Sequence, residues 1–224
     1  MVNSLVKRIL YCFYRIENKI LGNKLKEDSP GWKKYKNSSI KIPKIKKDPT
    51  ILGASAYFHD SSACILKNGK IIAAAEEERF TRVKHDNSFP LNSINYCIKE
   101  AKQKEIDLIV FFENPKEKLK RIKESFNKSF SDYESYSKFH DSWKNKKTNK
   151  AIIKKFREIG LKSKVIFMDH HLSHAASSYL LSPFNESAIL TIDGVGEKIT
   201  TTLGFGKKNK VSIDETIAFP NSLG

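Results

Sequence analysis

The dipeptide Asn68-Gly69 sits between two apolar runs in SSACILKNGKIIAAAEEE, and no other feature constrains the fold of this chain as strongly. An Asn-Gly pair supplies the two left-handed positions of a tight hairpin turn whose twist matches that of antiparallel strands. The flanking runs therefore read as a hairpin. The β-rich TILGASAY just upstream adds a third strand, so the domain opens with three consecutive antiparallel strands that begin near Thr50.

Downstream the apolar period changes. After Pro90, residues Leu91, Ile94, Cys97, Ile98 and Ala101 recur at helical spacing. EIDLIVFFEN then reads as a buried strand, PKEKLKRIKESFNKSF and NKAIIKKFREIG as helices, and SKVIFMDH as a strand. HLSHAASSYLLS is a helix, SAILTIDGVGE a strand, and TTTLGFGKKNKVSIDETIAF a further hairpin. The stretch SDYESYSKFHDSWKNKKT is an irregular or helical insertion without a period to place it. Antiparallel strands feeding alternating helices and strands describe an α/β lobe of ribonuclease-H-like type, a mixed sheet flanked by helices, the unit duplicated in actin-like ATPases and sugar kinases. In such open sheets sites form at the carboxyl ends of strands, and YFHDSS, MDHHLSH and DGVGE all fall there.

Two regions follow from this reading: residues 1–49, a basic amphipathic helix and linker, and residues 50–224, a single lobe. The linker DSPGWKKYKNSSIKIPKIKKDP is polar and broken by prolines, as expected of a connection or an arm hugging the surface. In residues 1–25, Val2, Leu5, Val6, Ile9, Leu10, Phe13, Ile16 and Ile20 share helical spacing, but charges interrupt the run before a signal-peptide core or a membrane span can form. Such a helix either makes weak contact with an anionic membrane surface or docks on the rest of the protein.

The net charge of +16 is uneven, because the first 50 residues hold 13 Lys and Arg against 4 Asp and Glu. Most of the remaining excess lies between about Pro115 and Lys164, away from the motifs, and no interleaved aromatic pattern accompanies it. The charge is read as solvated faces, with no dedicated nucleic-acid site. Cys12, Cys64 and Cys97 are odd in number, widely spaced and form no CxxC pair, so neither a disulfide framework nor a zinc ribbon is indicated, and a reducing cytoplasm fits best.

The candidate chemistry lies in four stretches. In DHHLSH, Asp169 is placed as a helix N-cap, and His170 and His174 stand one turn apart on the same side, the spacing of helix-borne metal ligands. His171, about 100° further round the helix, is expected to support the site from behind or to touch substrate. The plain alternative is a polar helix start with solvated histidines; the glutamate of a zinc-protease HExxH is absent. In DGVGE, Asp193 ends a strand facing a metal or its water, and Gly194 and Gly196 let backbone N–H groups approach phosphate, although an aspartate-glycine turn is also common after a strand. In FHDSSAC, His59 and Asp60 fall in a short loop, either as a proton-exchanging histidine or as an Asx-type turn. EEERFTRVKHD carries Lys84 and His85 in an aperiodic run, which either grips a phosphate or carbamoyl oxygen or is an ion-paired loop.

Taken together, HDSSACILKNGKIIAAAEEERFTRVKHDNSFP, DHHLSHAASSYLLSPFNESAILTIDGVGE and FPNSLG closely resemble the O-carbamoyltransferase family that includes nodulation-factor and cephalosporin or aminoglycoside carbamoylating enzymes, from about Ile51 to Gly224. The resemblance implies a fold akin to the threonylcarbamoyl-transferring subunit of tRNA modification, with iron or another divalent metal in the cleft of two lobes. It implies a separate domain that makes carbamoyl-adenylate from carbamoyl phosphate and ATP, and a small-molecule or glycan acceptor. Carried over by residue, the resemblance implies that His170 and His174 are metal ligands and Asp193 a metal or phosphate contact. His59 and Lys84 serve the transfer, and Asp60, His85, His171, Gly194 and Gly196 line the substrate site.

This sequence departs from the family at Lys198, where an aromatic residue is expected, and at Asn221, where histidine is expected; both bear on acceptor preference. FPNSLG falls in the middle of the family's first domain, so the second lobe, a further acidic ligand and the adenylate-forming domain are expected outside these residues, and the chain made alone is expected to expose apolar surface and associate. Two competing readings are a sugar-kinase-like phosphotransferase using DGVGE as a phosphate loop, and a basic binding module.

Overall fold

A computed structural model of the chain describes residues 32–35, 46–103, 105–129 and 148–224. The expected N-terminal helix and nearly all of the SDYESY insertion lie outside the described residues. The elements are β1 (Lys33–Lys34), β2 (Thr50–Ser55), β3 (Ser62–Lys67), β4 (Lys70–Glu76), α1 (Glu78–Thr81), α2 (Leu91–Glu100), β5 (Leu108–Phe111), α3 (Pro115–Ser129), α4 (Asn149–Glu158), β6 (Lys164–Phe167), α5 (His170–Tyr179), β7 (Glu186–Ile192), β8 (Ile199–Lys207) and β9 (Lys210–Ala218). They fall into two compact units, Ser38–His170 and, together with β1, His171–Gly224.

The first unit holds a five-stranded sheet in the order β4-β3-β2-β5-β6. β2, β3 and β4 form the expected antiparallel meander, while β5 pairs parallel to β2 and β6 parallel to β5. This is the ribonuclease-H-like arrangement. The turn chemistry is as the sequence implies, with Asn68 and Gly69 both left-handed, at φ 52° and 73°. β2 and β5 lie inside the sheet and are apolar, whereas β4 forms its edge and is largely exposed. Helix α2 buries Ile94 and Cys97, and α4 buries Ile152 and Phe156, each pair one turn apart on one face. Leu52, Ile65, Ile109 and Phe111, all fully buried, complete this core, each such side chain contributing about 1.5–3 kcal/mol. α4 starts where Thr148 Oγ1 accepts the Ala151 N–H at 3.2 Å.

The second unit holds an antiparallel sheet in the order β1-β9-β8-β7. The strands of the SAILTI run and the following hairpin therefore form a sheet of their own instead of extending the first lobe's mixed sheet. Period-two alternation specifies a strand and its buried face, and leaves open which sheet the strand joins. From the segment read as a linker, Lys33 and Lys34 pair with Thr216 and Glu215. The core here is small: Ala175, Tyr179 and Ile189 with Val211 packed against them. Tyr179 fits because residue 206 is glycine, where a Cβ would run into the ring. No helix among the described residues is long and apolar enough to cross a membrane.

Candidate functional site

In the first unit, β2 ends in the loop Tyr57–Ser61, bent by left-handed backbone at Tyr57 (φ 71°) and Asp60 (φ 52°). Side-chain-bearing residues adopt this region only at a cost, so the surrounding structure must impose it. The consequence is that both Asp60 oxygens meet an imidazole. His59 Nδ1–H donates to Oδ2 at 2.7 Å and His85 Nδ1–H to Oδ1 at 2.8 Å. The hydrogen bonds from His85 and then His59 hold the Asp60 carboxyl below the usual carboxylate range. With Nδ1 bound to a carboxylate, each neutral ring keeps its lone pair on Nε2, the arrangement of a base with its orienting acid. Asp60, expected to bind substrate, thus meets an imidazole N–H at each of its two oxygens.

His85 belongs to a run that the sequence left aperiodic. Its first part is the one-turn helix α1, ended by left-handed Arg82 at φ 61°. His85, also left-handed at φ 55°, donates its N–H to Glu78 Oε2 at 3.0 Å. Ligand-type atoms of Asp60, Glu78 and His85 all lie within 4.8 Å of one another. Lys84 stands next to His85 in the chain and is exposed.

Two features of this unit escaped the sequence reading. The first is Glu77, 1% exposed, whose carboxylate accepts from Asn92 N–H and Nδ2–H at 3.0 and 2.7 Å and from Ser93 N–H and Oγ–H, both at 2.8 Å. It caps α2 from a distance, which nothing in a run of three glutamates distinguishes. The second is the buried pair of Lys118 Nζ and Glu113 Oε2 at 2.7 Å, with side chains 8% and 6% exposed; an i,i+5 pair in a Lys-rich stretch carries no local signal.

On α5, His170 and His174 stand one turn apart as expected, directly after Asp169. His170 is buried; His174 is exposed, and its Nε2 lies 3.8 Å from Oδ2 of Asp193, the residue that follows β7. Ligand-type atoms of His170, His174 and Asp193 all lie within 4.8 Å of one another. Two imidazoles and a carboxylate are a donor set suited to iron, zinc or another divalent first-row ion, so the residues fit such a metal. Asp193 is held by its backbone: its N–H donates to the Thr200 carbonyl at 2.8 Å, and its carbonyl accepts the Ser222 hydroxyl at 2.7 Å.

His171, expected to line the substrate site, is fully buried. Its Nε2 lies 2.8 Å from the Ile199 carbonyl, an acceptor only, so in the neutral ring that nitrogen carries the proton and Nδ1 accepts the Thr191 hydroxyl at 2.6 Å. Thr191 in turn meets the Thr202 hydroxyl at 2.6 Å. The offset from His170 turns the ring into the sheet, where both nitrogens are engaged, and His171 anchors the helix. The DGVGE reading also changes. The Gly196 N–H donates to the Ile199 carbonyl at 3.0 Å, so that amide is committed within the loop and not offered to phosphate. Gly194 is exposed with open space at its Cβ position.

A family model described as the N-terminus of carbamoyltransferases matches residues 50–224. An uncharacterized protein of Synechocystis sp., sll1178, is 45% identical over 185 residues, 78% of this chain and 30% of that protein. Nodulation protein NolNO of Sinorhizobium fredii is 31% identical over 203 residues, 88% of this chain and 27% of that protein. The chain therefore spans less than a third of the length of these curated relatives. Among solved structures, YeaZ from Pseudomonas aeruginosa matches with a TM-score of 0.43 and 12% identity, over 79% of this chain and 70% of that one.

Proposed function

This chain belongs to the carbamoyltransferase family, whose N-terminal model it matches over residues 50–224, and we propose that it serves metal-assisted transfer of a carbamoyl group to a hydroxyl of a small molecule or glycan. The observation that carries this reading is the set of donor atoms of His170, His174 and Asp193 within 4.8 Å of one another, on a chain of this family. These residues would hold a divalent metal, which when bound supplies Lewis-acid polarisation of the carbamoyl carbonyl.

The chain's own residues do the rest. His59 Nε2 takes the proton of the acceptor hydroxyl, while Asp60 fixes the tautomer through Nδ1 and stabilises the imidazolium that forms. The acceptor oxygen bonds to the carbamoyl carbon, and the bond from that carbon to the adenylate phosphate oxygen breaks, releasing AMP. Lys84, exposed on its loop, offsets negative charge on the donor. The donor, carbamoyl-adenylate, comes from carbamoyl phosphate and ATP. A kinase-like use of DGVGE loses support because the Gly196 amide is already committed.

The test is metal content by elemental analysis and metal affinity by calorimetry for the protein and its His170→Ala/His174→Ala variant, beside transfer from carbamoyl phosphate and ATP to a panel of acceptor alcohols by the whole polypeptide. Metal and transfer both lost in the variant support the assignment. Equal metal binding in both proteins, or transfer retained by the variant, removes it.

A further inference from the structure

Phe58 is a large apolar residue left 50% exposed in the loop after β2, and its ring has two close neighbours. It lies against His59, with ring centroids 4.4 Å apart. Lys118 Nζ also sits over the ring, 4.8 Å from its centroid. That ammonium is itself buried and bound to Glu113 at 2.7 Å. A buried ion pair contributes little net stability, because desolvating both charges offsets most of their attraction, so its value here lies in holding a cation at a fixed place. A desolvated cation over an aromatic face fixes the ring it covers.

The His59 side chain, 61% exposed, is by contrast held by few contacts. Asp60 fixes it at Nδ1, which leaves the ring able to swing about that hydrogen bond. A second contact on the ring face removes this freedom. We propose that Phe58 and Lys118 are positioning residues: the Glu113–Lys118 pair holds Phe58, and Phe58 holds the His59 ring so that Nε2 meets the acceptor hydroxyl. This rests on the reading of His59 as the proton acceptor. Glu113 and Lys118 follow β5 at its carboxyl end, so β5 and its helix support a group carried by the neighbouring parallel strand β2.

The positioning contact is tested by the ring-proton shifts of His59, assigned through His59→Gln, in the wild type, Phe58→Leu, Lys118→Met and Lys118→Arg. The Phe58 ring current displaces these shifts. In Lys118→Met the displacement falls to less than half, towards the Phe58→Leu value, and Lys118→Arg, which keeps a cation over the ring, restores it. Glu113→Gln/Lys118→Met leaves no unpaired buried charge and gives the same loss if the single variant folds poorly. In transfer assays of the whole polypeptide, Lys118→Met lowers kcat roughly tenfold or more with acceptor KM within about twofold, and Lys118→Arg restores kcat. A displacement unchanged in both Lys118→Met proteins overturns the positioning contact. Wild-type kcat in His59→Gln instead overturns the base assignment, and the catalytic part of this proposal with it.

Discussion

Replacing Glu77 by alanine removes the acceptor of four hydrogen bonds at once. Helix α2 begins after Pro90, which offers no side-chain cap, so the Glu77 carboxylate satisfies the amides of Asn92 and Ser93 in the first turn. In the variant, Asn92 is exposed and turns to water, but Ser93 is fully buried. Its N–H and hydroxyl lose their partner at about 1–3 kcal/mol each, and the lost carboxylate-dipole attraction adds about 0.3–2 kcal/mol. These sum to about 2–8 kcal/mol, and partial relaxation around Ser93 puts the expected loss in the lower half of that range, about 3–5 kcal/mol. Glu77→Gln keeps one accepting oxygen and turns an NH2 towards the Ser93 N–H, for about 2 kcal/mol. Urea unfolding is the assay; with a slope of about 2 kcal/mol/M, the alanine midpoint falls by roughly 1.5–2.5 M. Hydrogen exchange at Ser93 and Ile94 should accelerate in native conditions. A midpoint shift below about 0.5 M would refute the argument, because the two buried groups would then have found other partners. The Glu77 N–H also donates to the Ser61 carbonyl at 2.7 Å, so the same residue steadies the loop of His59 and Asp60.

Three further outcomes are expected. His171→Leu strips partners from Thr191 and Ile199 and costs roughly 2–3 kcal/mol in urea unfolding; an unchanged urea midpoint contradicts its anchoring role. Burial, with Cys64 nearby, pushes the Cys97 thiol up to about 11 from 9.0, so at pH 8 its thiolate fraction is about 100-fold below that of an ordinary thiol. Peptide mapping after brief iodoacetamide treatment should find Cys97 unlabelled, and rapid native labelling would show that it is not buried. Acid should destabilise the first unit through Asp60, Asp86 and Asp107, all held below the usual carboxylate range, by hydrogen bonds led by His85, the Ser88 N–H and the Thr50 N–H respectively. For depressed carboxylates the stabilisation is complete above the ordinary value and is lost as pH falls through the folded values, here below about pH 4. Asp107→Asn should flatten that decline in urea midpoints, and an unaltered slope would exclude its contribution.

Local rules carried the sequence reading as far as neighbouring residues can. Asn68-Gly69 determined its turn because both positions need a left-handed backbone. The spacing of Ile94 with Cys97 marked a buried helical face, and that of His170 with His174 put two imidazoles on one side of α5, with Asp193 at the end of the next strand. Other properties depend on partners distant in sequence, and only tertiary structure decided them. The alternation in β7, β8 and β9 specified strands but not a separate sheet. Three adjacent glutamates looked equivalent until α2 brought Asn92 and Ser93 to Glu77 alone. His171 looked like its neighbours until Thr191 and Ile199 took both ring nitrogens. Spacing fixes the direction of a side chain relative to its own element; what that side chain meets is fixed when the elements pack, and most of the chemistry of this site depends on the second step.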